Sequence, residues 1–361
     1  MKRAAFLEAR ADYFGRAFSD GIVRALLAAG YAVDLFAPDG AGTQELYGAN
    51  VVRRDIEYRR GWLLRNAALA FRYDLFVGGA DLPMAFAGVL AAIGGKLSVV
   101  ACDEIYVGGY EGDARSYWKR VAQWAMRRAD LTVITDLVRL PLQREYAKLR
   151  ARHPTAVLPC CFTEPYAGRS RADARRALGI ADDDFVLSFT GAFTASNGAD
   201  WLIRFLDRSA PHVRVLVQTG GRPDAVLDAL LQRLDREGRV IYRPDRVSYL
   251  DAAAITVAAD AAIVFYLSPK PQFQLMGLSS QKLCTAFWLG IPVIATRQPS
   301  FAFIDELACG VTIAGEDALD AAVARIAANH DAFVRNAADA LTQIVRPGER
   351  LRVLTESLRA L

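Results

Sequence analysis

Short apolar, β-branched runs alternate with amphipathic helical stretches along almost the whole chain, and the alternation runs its course twice. The first round reads RAAFLEA, an apolar-faced stretch over 19–30, AVDLFAP, DLFVGG, a helix over 82–93, LSVVACD, a helix over 116–128, LTVIT and PTAVLPCCF. After the Pro- and Gly-containing joint EPYAGRS it resumes with FVLSFTG, a helix over 197–208, VRVLVQTGG, a helix over 223–237, RVIYRP, a helix over 248–259 and AAIVFY. A helix over 280–289, PVIAT, a short helix over 301–308, GVTI and further helices complete it. Strands alternating with helices run parallel, because each helix carries the chain back to the starting edge, and the sheet is then covered on both faces. The expected fold is α/β, with two tandem Rossmann-like, doubly wound domains. Their expected extents are 1–163 and 164–345, with a last helix, 346–361, that could pack back on the first domain. No similarity at a period of roughly 20 to 50 residues points to a solenoid. In the helix over 116–128, Tyr117, Val121, Trp124 and Ala125 are expected on the buried side, opposite Lys119, Arg120, Gln123 and Arg127.

Composition removes other classes. Apolar residues make up 53% and charged residues 23% of 361, enough to bury two cores and unlike a disordered or collagenous chain. Cys102, Cys160, Cys161, Cys284 and Cys309 are scattered without a CxxC pair, and His153, His212 and His330 share no ligand spacing. That usage suits a reducing compartment and argues against structural zinc. Glu8, Arg10 and Asp12 fall where a leader peptide would need its apolar core. The longest apolar run, 82–95, is short of the roughly 20 residues that span a bilayer. A cytoplasmic protein is expected, with any membrane contact peripheral and on the inner face.

The segment with the most chemistry is GLSSQKLCTAFWLGIPVIAT, residues 277–296. Ser279 and Ser280 open a helix whose first turn carries Lys282, and the helix stops at Gly290 before a proline-led buried strand. Free backbone N–H groups, the positive helix end and an ammonium within one turn make a site for a diphosphate. The alternative is an ordinary cap, with Ser280 the N-cap residue and Lys282 a solvated side chain.

These residues carry a resemblance. Ser280-Gln281-Lys282-Leu283, followed by Gly290-Ile291-Pro292-Val293-Ile294-Ala295, resembles the nucleotide-sugar helix of two-domain GT-B glycosyltransferases, particularly bacterial members of the glycogen-synthase-like family four. Phe189-Thr190-Gly191-Ala192-Phe193 resembles the glycine loop after the first strand of the C-terminal domain, and 247–266 resembles the helix and strand before the sugar site. FAFIDELACGVTI, Arg127 to Thr135 and the Leu158-Pro159 joint fall in the family's order. The sequence departs from the family at charged positions. Gly277 and Thr285 stand where retaining members carry paired glutamates, Ala192 where an arginine is usual and Asn197 where a lysine is usual.

The resemblance implies a sugar nucleotide on the C-terminal domain, an acceptor on the N-terminal domain and chemistry in the cleft they face across. With those charges missing, the phosphate clamp falls to Lys282, the helix amides around Ser279 and Ser280, the Gly191 loop and Arg16 beside the Gly15 turn, with no bound metal or cofactor expected. Thr285 and Leu283 belong to the same expected donor site, and Tyr266 is either a nucleotide contact or a core aromatic.

Asp103 and Glu104 follow the strand LSVVAC, at the carboxyl edge where open α/β sheets bind ligands. Asp103 is the candidate for contact with the reacting sugar or for general base on the acceptor hydroxyl, and Glu104 the reserve, against the plainer reading of two acids capping a loop. Charge is divided unevenly: residues 1–160 carry an excess of five positive charges and 161–361 an excess of one negative. That is too sparse for nucleic acid but compatible with an anionic lipid surface. Arg59, Arg60 and Arg65 frame Trp62, Leu63 and Leu64, a knuckle that either seats in headgroups or buries Trp62 and Leu63 in its own domain. The expected function is transfer of a sugar to a glycan or lipid-linked acceptor in bacterial cell-surface glycan synthesis. The alternatives are a sugar-nucleotide epimerase of the same fold and a non-catalytic scaffold derived from it.

Overall fold

A computed structural model describes residues 1–9, 16–38, 47–79, 81–105 and 116–361. The Gly15 turn and the glycine-rich loop at 106–112 lie outside the described residues. By contact the chain divides into two units, Met1–Thr163 with Pro347–Leu361, and Glu164–Arg346.

The first unit contains β1 (Lys2–Leu7), β2 (Tyr31–Ala37), β3 (Val51–Asp55), β4 (Leu75–Gly79), β5 (Leu97–Cys102), β6 (Leu131–Ile134) and β7 (Thr155–Val157). They form one parallel sheet in the order β3-β2-β1-β4-β5-β6-β7. The second unit contains β8 (Phe185–Thr190), β9 (Val213–Gln218), β10 (Val240–Arg243), β11 (Ala261–Val264), β12 (Val293–Thr296) and β13 (Gly310–Ile313). Its order, β10-β9-β8-β11-β12-β13, is the doubly wound order with the switch between β8 and β11; the first sheet switches between β1 and β4.

Central strands are buried on both faces, which explains why they read as continuous apolar runs. Ala4, Ala5, Phe6 and Leu7 are buried in succession. The edge strand β3, VVRRD, escapes that signal because one face is wet: Val51 is buried while Arg54 reaches Asp34 on β2 at 2.9 Å. Arg53 donates to the Pro38 carbonyl at 2.6 Å. Both arginines are thus partly engaged in fastening the sheet edge.

The helix Ser116–Arg128 has the expected span and buries Ala125 as expected, with Val121 packed against the core, but its inward side also takes in residues the sequence did not mark. Trp118, Ala122, Ala125 and Met126 pack into the core, and Tyr117 is exposed. The reason is close approach: a side chain on Gly88, in the helix Asp81–Gly94, would bring its Cβ to 2.4 Å from that of Ala125. Small residues therefore permit this close approach. The helix Pro347–Ala360 packs on the helix Ala17–Ala28 and on β7, placing Leu354 and Leu358 in the first unit's core.

Candidate functional site

In the second unit the expected donor residues gather at the carboxyl edge, at the switch between β8 and β11. Gly191 follows β8 in a left-handed conformation, φ 96°, which glycine adopts without strain. A Cβ there would lie 3.5 Å from Lys282 Cε, so the loop and the lysine are neighbours. Asn197 donates to the Ala192 carbonyl at 3.1 Å and to Thr194 Oγ1 at 3.0 Å, so the residue standing where the resemblance expects a lysine ties the loop together.

Ser280 is fully buried and serves as N-cap of the helix Gln281–Trp288. Its Oγ accepts from the Leu283 N–H at 3.2 Å and shares a hydrogen bond with Tyr266 OH at 2.9 Å. Leu283 is also fully buried, Ser279 is buried and Thr285 half-buried. Ser280 and Leu283 thus support the site from beneath.

Lys282 is the chemically distinctive member. Its Nζ sits 4.7 Å from the centre of the Phe189 ring and 5.4 Å from that of Tyr266. It is buried and has no hydrogen-bond partner among the described residues. Burial pushes its pKa down to about 8. Two ring faces compensate a buried ammonium only in part, since three N–H donors remain idle. An anion would satisfy them.

The first unit's carboxyl edge is built differently. Asp103, just past β5, accepts from Arg16 at 2.6 Å; Asp103 Oδ1 carries no hydrogen bond among the described residues. Arg139, nearly fully buried, donates to the Asp103 carbonyl at 3.0 Å and approaches Glu104 at 3.9 Å, so it fastens the Asp103–Glu104 loop from below. Glu8 follows β1 at the switch point and is itself buried. Its Oε2 accepts from Ser19 Oγ at 2.9 Å and its Oε1 from the Ala9 N–H at 2.8 Å. Burial pushes the Glu8 carboxyl above the ordinary range; Arg16 pulls against that shift and Asp103 adds to it.

Glu8 and Arg139 are additions to the expected set. A carboxylate directly after the buried run AAFL is the same signal that singled out Asp103 after LSVVAC. Arg139, in contrast, has no sequence mark: its place under the loop is created only by the fold.

The basic knuckle needs one correction. Trp62 is buried against Phe36 at 6.0 Å and Phe86 at 6.2 Å, so it is no part of an outer surface; its aromatic neighbours outcompete water and lipid. Arg59, Arg60 and Arg65 are exposed, and the outward apolar residue of the helix Arg60–Arg65 is Leu64, 79% exposed. Arg60 lies 4.8 Å over the exposed Tyr117 ring.

The sequence holds one Asp-x-Asp string, Asp182-Asp183-Asp184, in the turn leading into β8 and therefore at the edge away from Lys282. Asp184 is engaged there with Arg214 at 3.0 Å and the Ala181 N–H at 3.1 Å. Among the described residues no three His, Cys, Asp or Glu side chains gather as a metal-ligand set, and no helix is long and apolar enough to cross a membrane.

No protein-family model and no curated protein matches the chain. Solved structures do. Anabaena Alr3699/HepE, in complex with UDP and glucose, is 18% identical over 100% of both chains, with a TM-score of 0.77. WaaG, a glycosyltransferase involved in lipopolysaccharide biosynthesis, is 16% identical over 98% of this chain and 99% of that one, with a TM-score of 0.69. Sucrose-phosphate synthase from Thermosynechococcus elongatus is 16% identical over 100% of this chain and 97% of its own, with a TM-score of 0.68. At such identities the likeness is one of fold, and it agrees with the two strand orders: the chain has the GT-B fold, two Rossmann-like domains in tandem.

Proposed function

We infer that the protein is a glycosyltransferase that takes a sugar from a nucleoside diphosphate sugar. The observation that carries this reading is the buried, unpartnered Lys282 ammonium at the second sheet's switch point, in the first turn of the helix Gln281–Trp288. Structures of the same fold that hold UDP, with glucose or as UDP-glucose, lend it support. In the transfer, the acceptor hydroxyl bonds to the sugar's anomeric carbon as the bond from that carbon to the diphosphate breaks. The charge left on the diphosphate falls to Lys282 and the helix amides, with the Gly191 loop beside them and no metal required. The hydroxyl's proton goes to Asp103, whose Oδ1 no described residue bonds while Arg16 holds the other oxygen. Arg16 is thereby assigned to the acid rather than to the phosphate.

The acceptor is proposed to be lipid-linked and anionic, as in the assembly of cell-surface glycans, reached by peripheral attachment at the inner face of the membrane. The positive excess of residues 1–160 and the exposed Arg59, Arg60, Leu64 and Arg65 support that reading.

Thermal unfolding with UDP, GDP, ADP and their sugar nucleotides tests the donor half. A ligand at 100 times its dissociation constant adds about 2.7 kcal/mol to the folded state. No shift with any of them at millimolar concentration ends the reading; a shift without transfer or hydrolysis leaves a scaffold, and donor turnover without acceptor an epimerase.

A further inference from the structure

Gln298 is a buried primary amide with nothing to bond. It is 5% exposed, and neither its Nε2 nor its Oε1 has a hydrogen-bond partner among the described residues. Such groups are rare in folded proteins, because desolvating an amide without giving it a partner is costly. The position is specific. Gln298 stands two residues beyond β12 in extended conformation, φ −153° and ψ 156°, so its side chain leaves on the same face as that of Thr296. Thr296 Oγ1 accepts from the Tyr266 N–H at 3.2 Å, and the Phe301 ring, three residues on from Gln298, lies 6.3 Å from the Tyr266 ring. Tyr266 is the ring that faces Lys282 Nζ.

Two further amides along this edge are incompletely bonded. Gln281 Nε2, one residue from Lys282, is buried without a partner among the described residues, and so is Gln272 Oε1. Gln272 adjoins Phe273, whose ring stacks on Tyr266 at 6.4 Å. Among the described residues, idle donors and idle acceptors therefore lie on the segments that flank Tyr266 and Lys282, within one unit.

We propose that Gln298, with Gln272 and Gln281, is the recognition site for an uncharged, hydroxyl-bearing sugar of the donor, and that Gln298 is its specificity-determining residue. The proposal rests on the transferase reading and extends it to the substrate class. A hydroxyl donates and accepts, so a pair of sugar hydroxyls satisfies both ends of an amide. A carboxylate only accepts: it would engage Nε2 and leave Oε1 facing negative charge. The site therefore favours a neutral hexosyl unit over a uronosyl one.

The test uses the full chain, with UDP-, GDP- and ADP-glucose and the matching diphosphates; the pair that the wild type binds carries the comparison. The sugar should tighten wild-type binding over the diphosphate alone, and the corresponding glucuronate should bind more weakly than the glucose donor. Gln298→Met should weaken the glucose donor by about tenfold or more, the loss of two neutral hydrogen bonds, and leave diphosphate affinity within about twofold. The unliganded variant should also melt higher, by about 2 to 4 °C, because an apolar side chain replaces an unpaired amide. A lower melting temperature with unchanged donor affinity would show an amide satisfied by buried water, and would overturn the proposal. So would an equal loss for donor and diphosphate, or a wild type to which the sugar adds nothing. If the wild type binds no diphosphate at all, it is the transferase reading that fails.

Discussion

The carboxyl edges of the two sheets occupy equivalent places in the same topology and are finished in opposite ways. At the first, charge is met by charge: Arg16 holds Asp103, and Arg139 stands under Asp103 and Glu104. At the second, a lone ammonium is flanked by ring faces and underbonded amides. A balanced cluster keeps its geometry without ligand and suits proton transfer, where position matters most. An unbalanced one is completed by what binds: on the proposed function an anion at Lys282 and, on the further inference, hydroxyls at Gln298. On the proposed function, the charge-paired edge would serve the chemistry and the underbonded edge the binding.

The largest expected effect breaks the contrast at its first member. Asp103→Asn should lower turnover by about a hundredfold or more with donor affinity nearly intact, the pattern of a group used mainly in the transition state. If Glu8→Gln does this and Asp103→Asn does not, the proton goes to the buried acid behind the pair, and the charge-paired cluster is scaffolding. The same comparison for Glu104→Gln, with its carboxyl more exposed and 3.9 Å from Arg139, should give a smaller loss.

The contrast in overall charge can be tested next. Liposome co-sedimentation should show binding to anionic and not neutral vesicles, weakening with added salt. Reversing Arg59, Arg60 and Arg65 together should abolish it, at about 1 kcal/mol per cation near the surface. Indifference of the wild type to anionic vesicles at low salt would confine those arginines to solvation.

At the second edge, Lys282→Met should weaken diphosphate binding by about 1.5 to 3 kcal/mol, as expected for a charge-assisted contact. The ammonium is the binding form, and its pKa in the free protein is about 8. Bound anion holds the proton on, so wild-type affinity should be level at lower pH and fall as pH rises through that value, by at most about tenfold per unit. The variant should lack this fall. Equal affinities in wild type and variant would remove Lys282 from the site.

The smallest effect sharpens the line between contact and support. Ser280→Ala loses an N-cap and should cost about 1 kcal/mol of stability, seen as a lower melting temperature, with diphosphate affinity changed little. A collapse of affinity at normal stability would make Ser280 a direct contact.

The architecture was legible because buried parallel strands write themselves as apolar runs, and the helix over 280–289 lies within one residue of Gln281–Trp288 at each end. What escaped was whatever depends on neighbours distant in sequence. The strand β3 hid behind Arg53 and Arg54, whose partners lie on or just beyond β2. The burial of Trp118, Ala122 and Met126 on Ser116–Arg128 depends on packing with elements such as the helix Asp81–Gly94, distant from it in the chain. Trp62 reads either as a headgroup contact or as a core residue until Phe36 and Phe86 are brought beside it. Gln298 has no motif at all, because its mark is a missing partner, which only coordinates reveal.

The helix Pro347–Ala360 gives the chain an order of completion. The first unit is interrupted after Thr163 and resumed at Pro347, so the whole of Glu164–Arg346 is made before Leu354 and Leu358 can close the first core. During synthesis the second unit, contiguous in sequence, can fold on its own schedule. The first waits with the flank of Ala17–Ala28 uncovered and then joins segments nearly the full chain apart, the slowest kind of contact to form. A chain released at residue 346 would therefore hold every segment of the second unit and lack the last of the first, although the first was begun earlier.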